Sequence, residues 1–241
     1  MKHKISREIK ERKLKLHKNT PKHLGIHTVY RSESGRILPS VTTVLKEESA
    51  PALIEWAFGC GVAGIDYRAL RDQAGKIGTE AHRLIAEDGQ EQPDPVTDIQ
   101  VKGREAYANY CNWKVAYNPQ PILHENSLVS REYGFGGTFD LYCTINNVPT
   151  LVDFKTSKQI IPDAVEMQLH AYNILFTENL SRDYDPPRQA MVVRIGHSGH
   201  PPAQRDRYDL MAFSFSERIE KKFLSLLGFY KYKHEQPNPE V

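Results

Sequence analysis

Gly136-Gly137-Thr138-Phe139-Asp140-Leu141-Tyr142-Cys143-Thr144-Ile145, then Asn146-Asn147, then Val148-Pro149-Thr150-Leu151-Val152-Asp153-Phe154-Lys155 reads as strand, turn and strand. Asn tolerates the positive φ of a tight two-residue turn, so Ile145 is expected to pair with Val148. Counting back along that ladder sets Asp140 across from Asp153, with Cβ atoms about 5 Å apart. Side chains alternate along a strand, which puts Lys155 on the face of Asp153. Two carboxylates this close repel unless a proton or a cation lies between them, and a divalent metal that prefers oxygen is the usual bridge. A metal-dependent site at Asp140, Asp153 and Lys155 is the leading reading. Against it, a lone D-x-K triplet usually marks a solvated strand. Pro149 points to an edge strand or an interrupted ladder, and a one-residue slip would send the two Asp to opposite faces.

Working outward, Pro51 to Asp88 has a helical pattern that Gly59, Gly61 and Gly64 are expected to break into pieces. In the last piece Gly75, Gly78, Thr79, His82 and Ala86 share one face. That strip of small residues would let the helix lie close to a sheet and bring His82 to the carboxylates, although a lone His on such a face is ordinarily a hydrogen-bonded core residue. Ile122 to Arg131 alternates as a strand containing Glu125, whose direction the spacing does not set. After the hairpin, a helix from about Asp163 to Glu178 places Gln168 and Tyr172 one turn apart on one face. An ordinary amphipathic helix that buries Leu169 and Leu175 has the same pattern.

In order and spacing, Gly78-Thr79-Glu80-Ala81-His82, Gly137-Thr138-Phe139-Asp140, Asp153-Phe154-Lys155 and Gln168-Leu169-His170-Ala171-Tyr172 resemble the motifs of the RecB-like branch of the PD-(D/E)XK nuclease superfamily. Leu38-Pro39-Ser40-Val41-Thr42-Thr43-Val44-Leu45 is further similar to the P-S-V-T segment of phage exonucleases and the mitochondrial genome maintenance exonuclease. The resemblance spans roughly residues 38 to 175. It implies an α/β, restriction-endonuclease-like core, a central mixed β-sheet flanked by helices, in the order helix, three antiparallel strands, helix, strand. It implies Mg²⁺ or Mn²⁺ held by His82, Asp140, Asp153 and the Phe154 carbonyl. Lys155 would act on the attacking water or the developing charge, and Gln168 and Tyr172 would position Lys155 or the DNA backbone. The expected activity is metal-dependent hydrolysis of DNA phosphodiester bonds, by an exonuclease on single strands or DNA ends, leaving 5′-phosphate and 3′-hydroxyl groups. A structure-specific or nicking endonuclease would use the same residues. A non-catalytic DNA-binding module on this fold would ordinarily lack an acidic ligand or the Lys, and all are present here.

Cys60, Cys111 and Cys143 are too few and too dispersed for the four-cysteine iron–sulfur cluster of some members of this branch, so no such cluster is expected. They suit a reducing, intracellular and cytoplasmic setting. With 241 residues, 39% of them hydrophobic, the chain can bury a substantial core. No apolar run approaches a membrane span. Charge is unevenly spread: residues 1–23 carry nine Lys/Arg against Glu8 and Glu11, while the rest of the chain carries 23 basic and 28 acidic side chains. The expected organisation is therefore a basic arm over 1–23 and a single nuclease domain over 24–241. The arm could neutralise DNA phosphates or be a solvated tail, with Arg68, Arg71 and Lys76 as the alternative DNA track.

The remaining segments fill out the core. Ile26 to Arg31 and Arg36 to Leu38 suggest a small hairpin about Ser32 to Gly35, and Ser40 can cap a short helix through Leu45. Val96 to Tyr117 reads as a long helix whose Tyr107, Tyr110 and Trp113 suit a core better than a base-stacking platform. Arg188 to Gly196 and Tyr208 to Phe213 read as strands, and Ser216 to Lys233 as a closing helix. The loop from Gly196 to Pro202 holds two His but lacks the helical scaffold of a zinc motif. Gly134-Phe135-Gly136-Gly137 does not open a helix, as a phosphate loop would.

Overall fold

A computed structural model describes residues 28–48, 51–88, 90–157, 161–196 and 209–234. The basic arm over 1–23 and His197 and His200 of the two-His loop lie outside the described residues. Strands β1 (Tyr30–Arg31) and β2 (Ile37–Leu38) form the small hairpin. They are followed by α1 (Val41–Leu45), α2 (Pro51–Val62), α3 (Tyr67–Ala86) and α4 (Asp98–Tyr117). Strands β3 (Gln120–Ser130), β4 (Phe135–Ile145) and β5 (Val148–Lys155), helix α5 (Pro162–Leu180), strands β6 (Gln189–Arg194) and β7 (Asp209–Phe213) and helix α6 (Glu217–His234) complete the chain. The large sheet has the order β3-β4-β5-β6-β7. All its neighbours are antiparallel except β5 and β6, which run parallel across the α5 crossover. This is the α/β arrangement expected from the sequence, a five-stranded mixed sheet flanked by helices.

Local chemistry accounts for the boundaries. Asn146 and Asn147 turn the central hairpin at φ 51° and 62°, the left-handed pair a tight turn requires. Ser40 caps α1 by accepting from the Thr43 amide at 3.0 Å. Thr97 and Gln100 form a capping box at the start of α4. Pro149 is accommodated in a central strand because β5 meets β6 only from Thr150 onward, so its missing N–H faces no neighbour. The expected breaks in the second helical region differ from the structure. Gly59 and Gly61 lie within α2, and only Gly64, at φ 68°, ends the run. Two glycines lower helix propensity by roughly 1 kcal/mol each without forcing a stop.

The sheet is covered on both faces. On one side α1, α5 and α6 bury Val41, Val44, Leu169, Leu175, Phe176 and Phe223 against Phe135, Phe139, Tyr142 and Leu151. On the other, Ala81 and Ile85 of α3 and Ala106, Tyr110 and Trp113 of α4 cover Leu141, Cys143, Val152 and Phe154. Complete burial of such apolar side chains stabilises the fold by about 1.5–3 kcal/mol each. Tyr110 and Trp113 are thus core residues, as their spacing suggested.

His170 fastens α5 to the start of α6. Its Nε2 accepts the Ser216 amide at 2.8 Å, so in the neutral ring Nδ1 carries the proton and donates to the Glu166 carbonyl at 2.7 Å. Phe213 stacks on the ring and Phe215 meets it edge-on. Burial holds the imidazole pKa below 6.5, despite the Glu166 carbonyl and the Glu166 and Glu220 carboxylates, which act the other way. The native state therefore binds fewer protons at this ring than the unfolded chain. Stability from this contact is present above the unfolded value of 6.5 and falls as the pH drops below it. His170→Gln should cost about 1–3 kcal/mol through the orphaned amide and should flatten the decline of melting temperature on the acid side. A variant with the wild-type acid slope would assign that slope to other groups.

Candidate active site and metal centre

The hairpin ladder runs from Ile145 opposite Val148 to Leu141 opposite Val152. One step further, where Asp140 comes level with Asp153, a side-chain bond appears: the Phe154 amide donates to Asp140 Oδ2 at 2.7 Å. On the other flank of β4 the pairing with β3 lapses at the same level. His124 pairs with Leu141 and Asn126 with Phe139, leaving Glu125 and Asp140 between them. Glu125 has φ 44°, a left-handed conformation that costs a non-glycine residue about 1–3 kcal/mol. Alternation slips here too. Phe135 and Phe139 before Asp140, and Tyr142 after it, all face the α5 core, which an uninterrupted strand would forbid. The strained position thus aims the Glu125 carboxylate toward Asp140.

Helix α3 brings His82 to the same place. Its Nδ1 lies 3.4 Å from Glu125 Oε1 and 3.6 Å from Asp140 Oδ1. One ligand atom from each of His82, Glu125 and Asp140 falls within 4.8 Å of the other two. The small-residue strip contributes to this approach at one point: a Cβ on Gly78 would stand 3.1 Å from Thr156 Oγ1, whereas Gly75 faces open space. Helix α3 is set mainly by α4, where a Cβ on Gly103 would overlap the Glu80 side chain at 2.5 Å. The expected strip is thus corrected: close packing depends on a glycine in the neighbouring helix.

Asp153 stands beside this trio, outside it, and is 2% exposed. Its Oδ1 accepts from Gln168 Nε2 at 3.0 Å and its Oδ2 lies 2.8 Å from Lys155 Nζ. Lys155 also donates to Gln168 Oε1 at 2.9 Å, and Gln168 Nε2 donates to the Tyr172 hydroxyl at 2.8 Å. Gln168 therefore holds the acid and the ammonium of the D-x-K pair in one bonded loop. Phe154 contributes its amide to Asp140, and its ring is buried edge-on to Tyr110 and Trp113.

A second set of contacts, absent from the sequence reading, supports the carboxylates from below. Tyr30 of β1 shares a 2.8 Å hydrogen bond with Thr138, which shares one of 2.6 Å with Ser127. Gly136 is required there, because a Cβ would lie 2.3 Å from the Tyr30 ring. The only sequence signal for this contact was the double glycine before Thr138.

Electrostatics show a cluster with surplus negative charge. Burial lifts the Asp140 carboxyl to about 7, with Asp153 and Glu125 pushing the same way and His82 opposing. For His82 burial acts downward, but Asp140 and Glu125 override it and raise the imidazole to about 9. Lys155, despite burial, is held above its ordinary value by Asp153 and Asp140 and stays an ammonium. The donor set of two carboxylates and one imidazole, short of positive charge, fits a divalent cation of the Mg²⁺ or Mn²⁺ type.

No protein-family model and no curated protein matches the chain. Solved structures do. An alkaline exonuclease from Laribacter hongkongensis has 8% identity and a TM-score of 0.36, with 65% of this chain and 77% of that one covered. A putative exonuclease from Eubacterium rectale has 9% identity and a TM-score of 0.41 over 67% of this chain and 65% of that one. A phage-related exonuclease from Haemophilus somnus 129PT has 13% identity and a TM-score of 0.36 over 66% and 81%. At these scores the likenesses bear on neither substrate nor mechanism. Among the described residues no helix is long and apolar enough to cross a membrane. The chain's own strand order, with Asp140, Asp153-x-Lys155 and Gln168-x-x-x-Tyr172 brought together at one point of the sheet, is consistent with the RecB-like branch of the PD-(D/E)XK nucleases.

Proposed function

We propose that the protein is a metal-dependent nuclease that hydrolyses DNA phosphodiester bonds, acting as an exonuclease on single strands or free ends. The observation that carries this reading is the bonded set Asp153, Lys155 and Gln168 lying next to His82, Glu125 and Asp140. It sets a general electrostatic group beside a cation-binding cluster. His82, Glu125 and Asp140 would hold the cation, with Asp153 and the Phe154 carbonyl as further ligands on the adjoining strand. A divalent ion there supplies Lewis-acid stabilisation of the phosphate and lowers the pKa of a bound water. Lys155 presents a fixed positive charge toward the attacking water and the developing negative charge. Gln168 keeps that ammonium oriented, and Tyr172, whose pKa burial raises well above the ordinary value, remains a neutral hydroxyl that orients Gln168.

A time course on end-labelled linear and on circular single-stranded DNA, with Mg²⁺, Mn²⁺ or EDTA, tests the reading. Release of nucleotides from linear DNA, an intact circle and silence in EDTA are expected. A cut circle would assign an endonuclease, and equal activity in EDTA would remove the metal from the reaction. His82→Ala and Glu125→Gln should each weaken Mn²⁺ binding at least tenfold, about 1.4 kcal/mol, with partial recovery of turnover at high Mn²⁺. Calorimetric titration of Mn²⁺ into the nucleic-acid-free protein reads this directly. Unchanged affinity in both variants would make the pair a structural contact.

A further inference from the structure

Helix α2 is out of keeping with the rest of the surface. Its sequence Pro51 to Val62 has one charged residue, Glu55, yet only Cys60 is buried. Ile54, Phe58 and Val62 are 66%, 69% and 74% exposed, and Ile65 just beyond the helix is 48% exposed. Spacings of four, four and three residues place them on one stripe, on the side opposite Cys60. Leu53, Trp56 and Leu70 extend the apolar area. Together these side chains expose on the order of 700 Å², more than the few hundred usual for a monomer's largest patch and close to the ~800 Å² each partner of a standard interface buries.

We infer that the α2 stripe is a self-association surface, on which a second copy of this chain packs its own α2 across a two-fold axis. Three observations select this occupant. No Lys or Arg lies in α2, which disfavours phosphates of nucleic acid or an anionic membrane, whereas an aliphatic, charge-poor core suits homodimer contacts. The stripe is also self-complementary. An antiparallel crossing about the middle of α2 sets Phe58 against the partner's Gly61 and Ile54 against the partner's Ile65, as an isologous contact demands. Finally, Gly61 sits in the stripe with nothing within 4 Å of where its Cβ would be, leaving a recess for an aromatic ring. This proposal is independent of the nuclease reading, since it uses no residue of the metal centre.

Sedimentation velocity of the full chain, up to on the order of 100 μM, tests it. The wild type should pass from monomer to dimer, with the emission of the half-exposed Trp56 moving to the blue over the same range. Phe58→Asp, at an exposed position, should remain folded and monomeric. Gly61→Leu adds apolar surface and helix propensity yet fills the recess, so it should weaken association at least tenfold. A wild type that stays monomeric, or a dimer indifferent to Phe58→Asp, overturns the proposal. A Gly61→Leu protein that associates as tightly or more tightly overturns the close crossing and leaves only a sticky patch. Should oligothymidylate, rather than concentration, shift Trp56 in a monomer, the surface belongs to single-stranded nucleic acid and the dimer is excluded.

Discussion

Asp140→Asn should reduce Mg²⁺-dependent cleavage to the level seen in EDTA while leaving the metal-free protein as stable as the wild type or slightly more so. The metal's electrostatic contribution of several kcal/mol to the barrier corresponds to a loss of about 10³-fold or more. Stability should move the other way, because burial already lifts Asp140 to about 7, so its charge is unfavourable in the empty cluster. The amide replacement matters. Asp140 Oδ2 accepts the Phe154 N–H at 2.7 Å, so Asp140→Ala would orphan a buried donor at about 1–3 kcal/mol, whereas Asn keeps an acceptor. Asp153→Asn should also silence cleavage but with a stability loss, since it leaves the Lys155 ammonium without its carboxylate. Turnover assays alongside thermal melts in EDTA check both. Near-normal cleavage by the two variants would dismiss the metal centre.

Lys155→Ala should cut turnover by about 10²–10³-fold, the size typical of removing one preorganised stabiliser of transition-state charge, while DNA and metal affinity change far less. The reason is geometric. Lys155 is held by Asp153 at 2.8 Å and by Gln168 at 2.9 Å, so its charge is in place before substrate arrives. A group of that kind acts on the rate more than on binding. Lys155→Arg should recover little, because a forked guanidinium does not reproduce a point charge bonded to both partners. Single-turnover rates on saturating DNA, compared with affinities measured in Ca²⁺, separate the effects. Parallel losses of rate and affinity would recast Lys155 as a phosphate anchor.

Much of the core was legible in the chain because it rests on short-range rules. Asn146-Asn147 specifies a two-residue turn whatever surrounds it, and the turn in turn sets the register that brings Asp140 level with Asp153. Likewise Ser40 and Thr97 cap helices through contacts three residues away, and Gln168 and Tyr172 meet because they are one turn apart. The misplaced helix breaks at Gly59 and Gly61 reflect the weakness of a single glycine as a stop signal beside the left-handed Gly64.

What only the tertiary structure decided is where long-range contacts override such rules. Alternation along β3 left the direction of Glu125 open, and it is settled by a φ of 44° that the surrounding ladder and the Tyr30, Thr138 and Ser127 bonds accompany. The approach of His82 depends on Gly103, a residue in another helix. The role of Gln168 as a bridge between Asp153 and Lys155 needs a strand and a helix thirteen to fifteen residues apart to dock. The sequence by itself determined which residues form the hairpin, which face they share and which acids and base compete for that face, because those follow from local backbone geometry. The packing of α3 and α5 on the sheet decided which of them meet, because contacts between distant elements are set by the whole core and leave no fixed spacing in the chain.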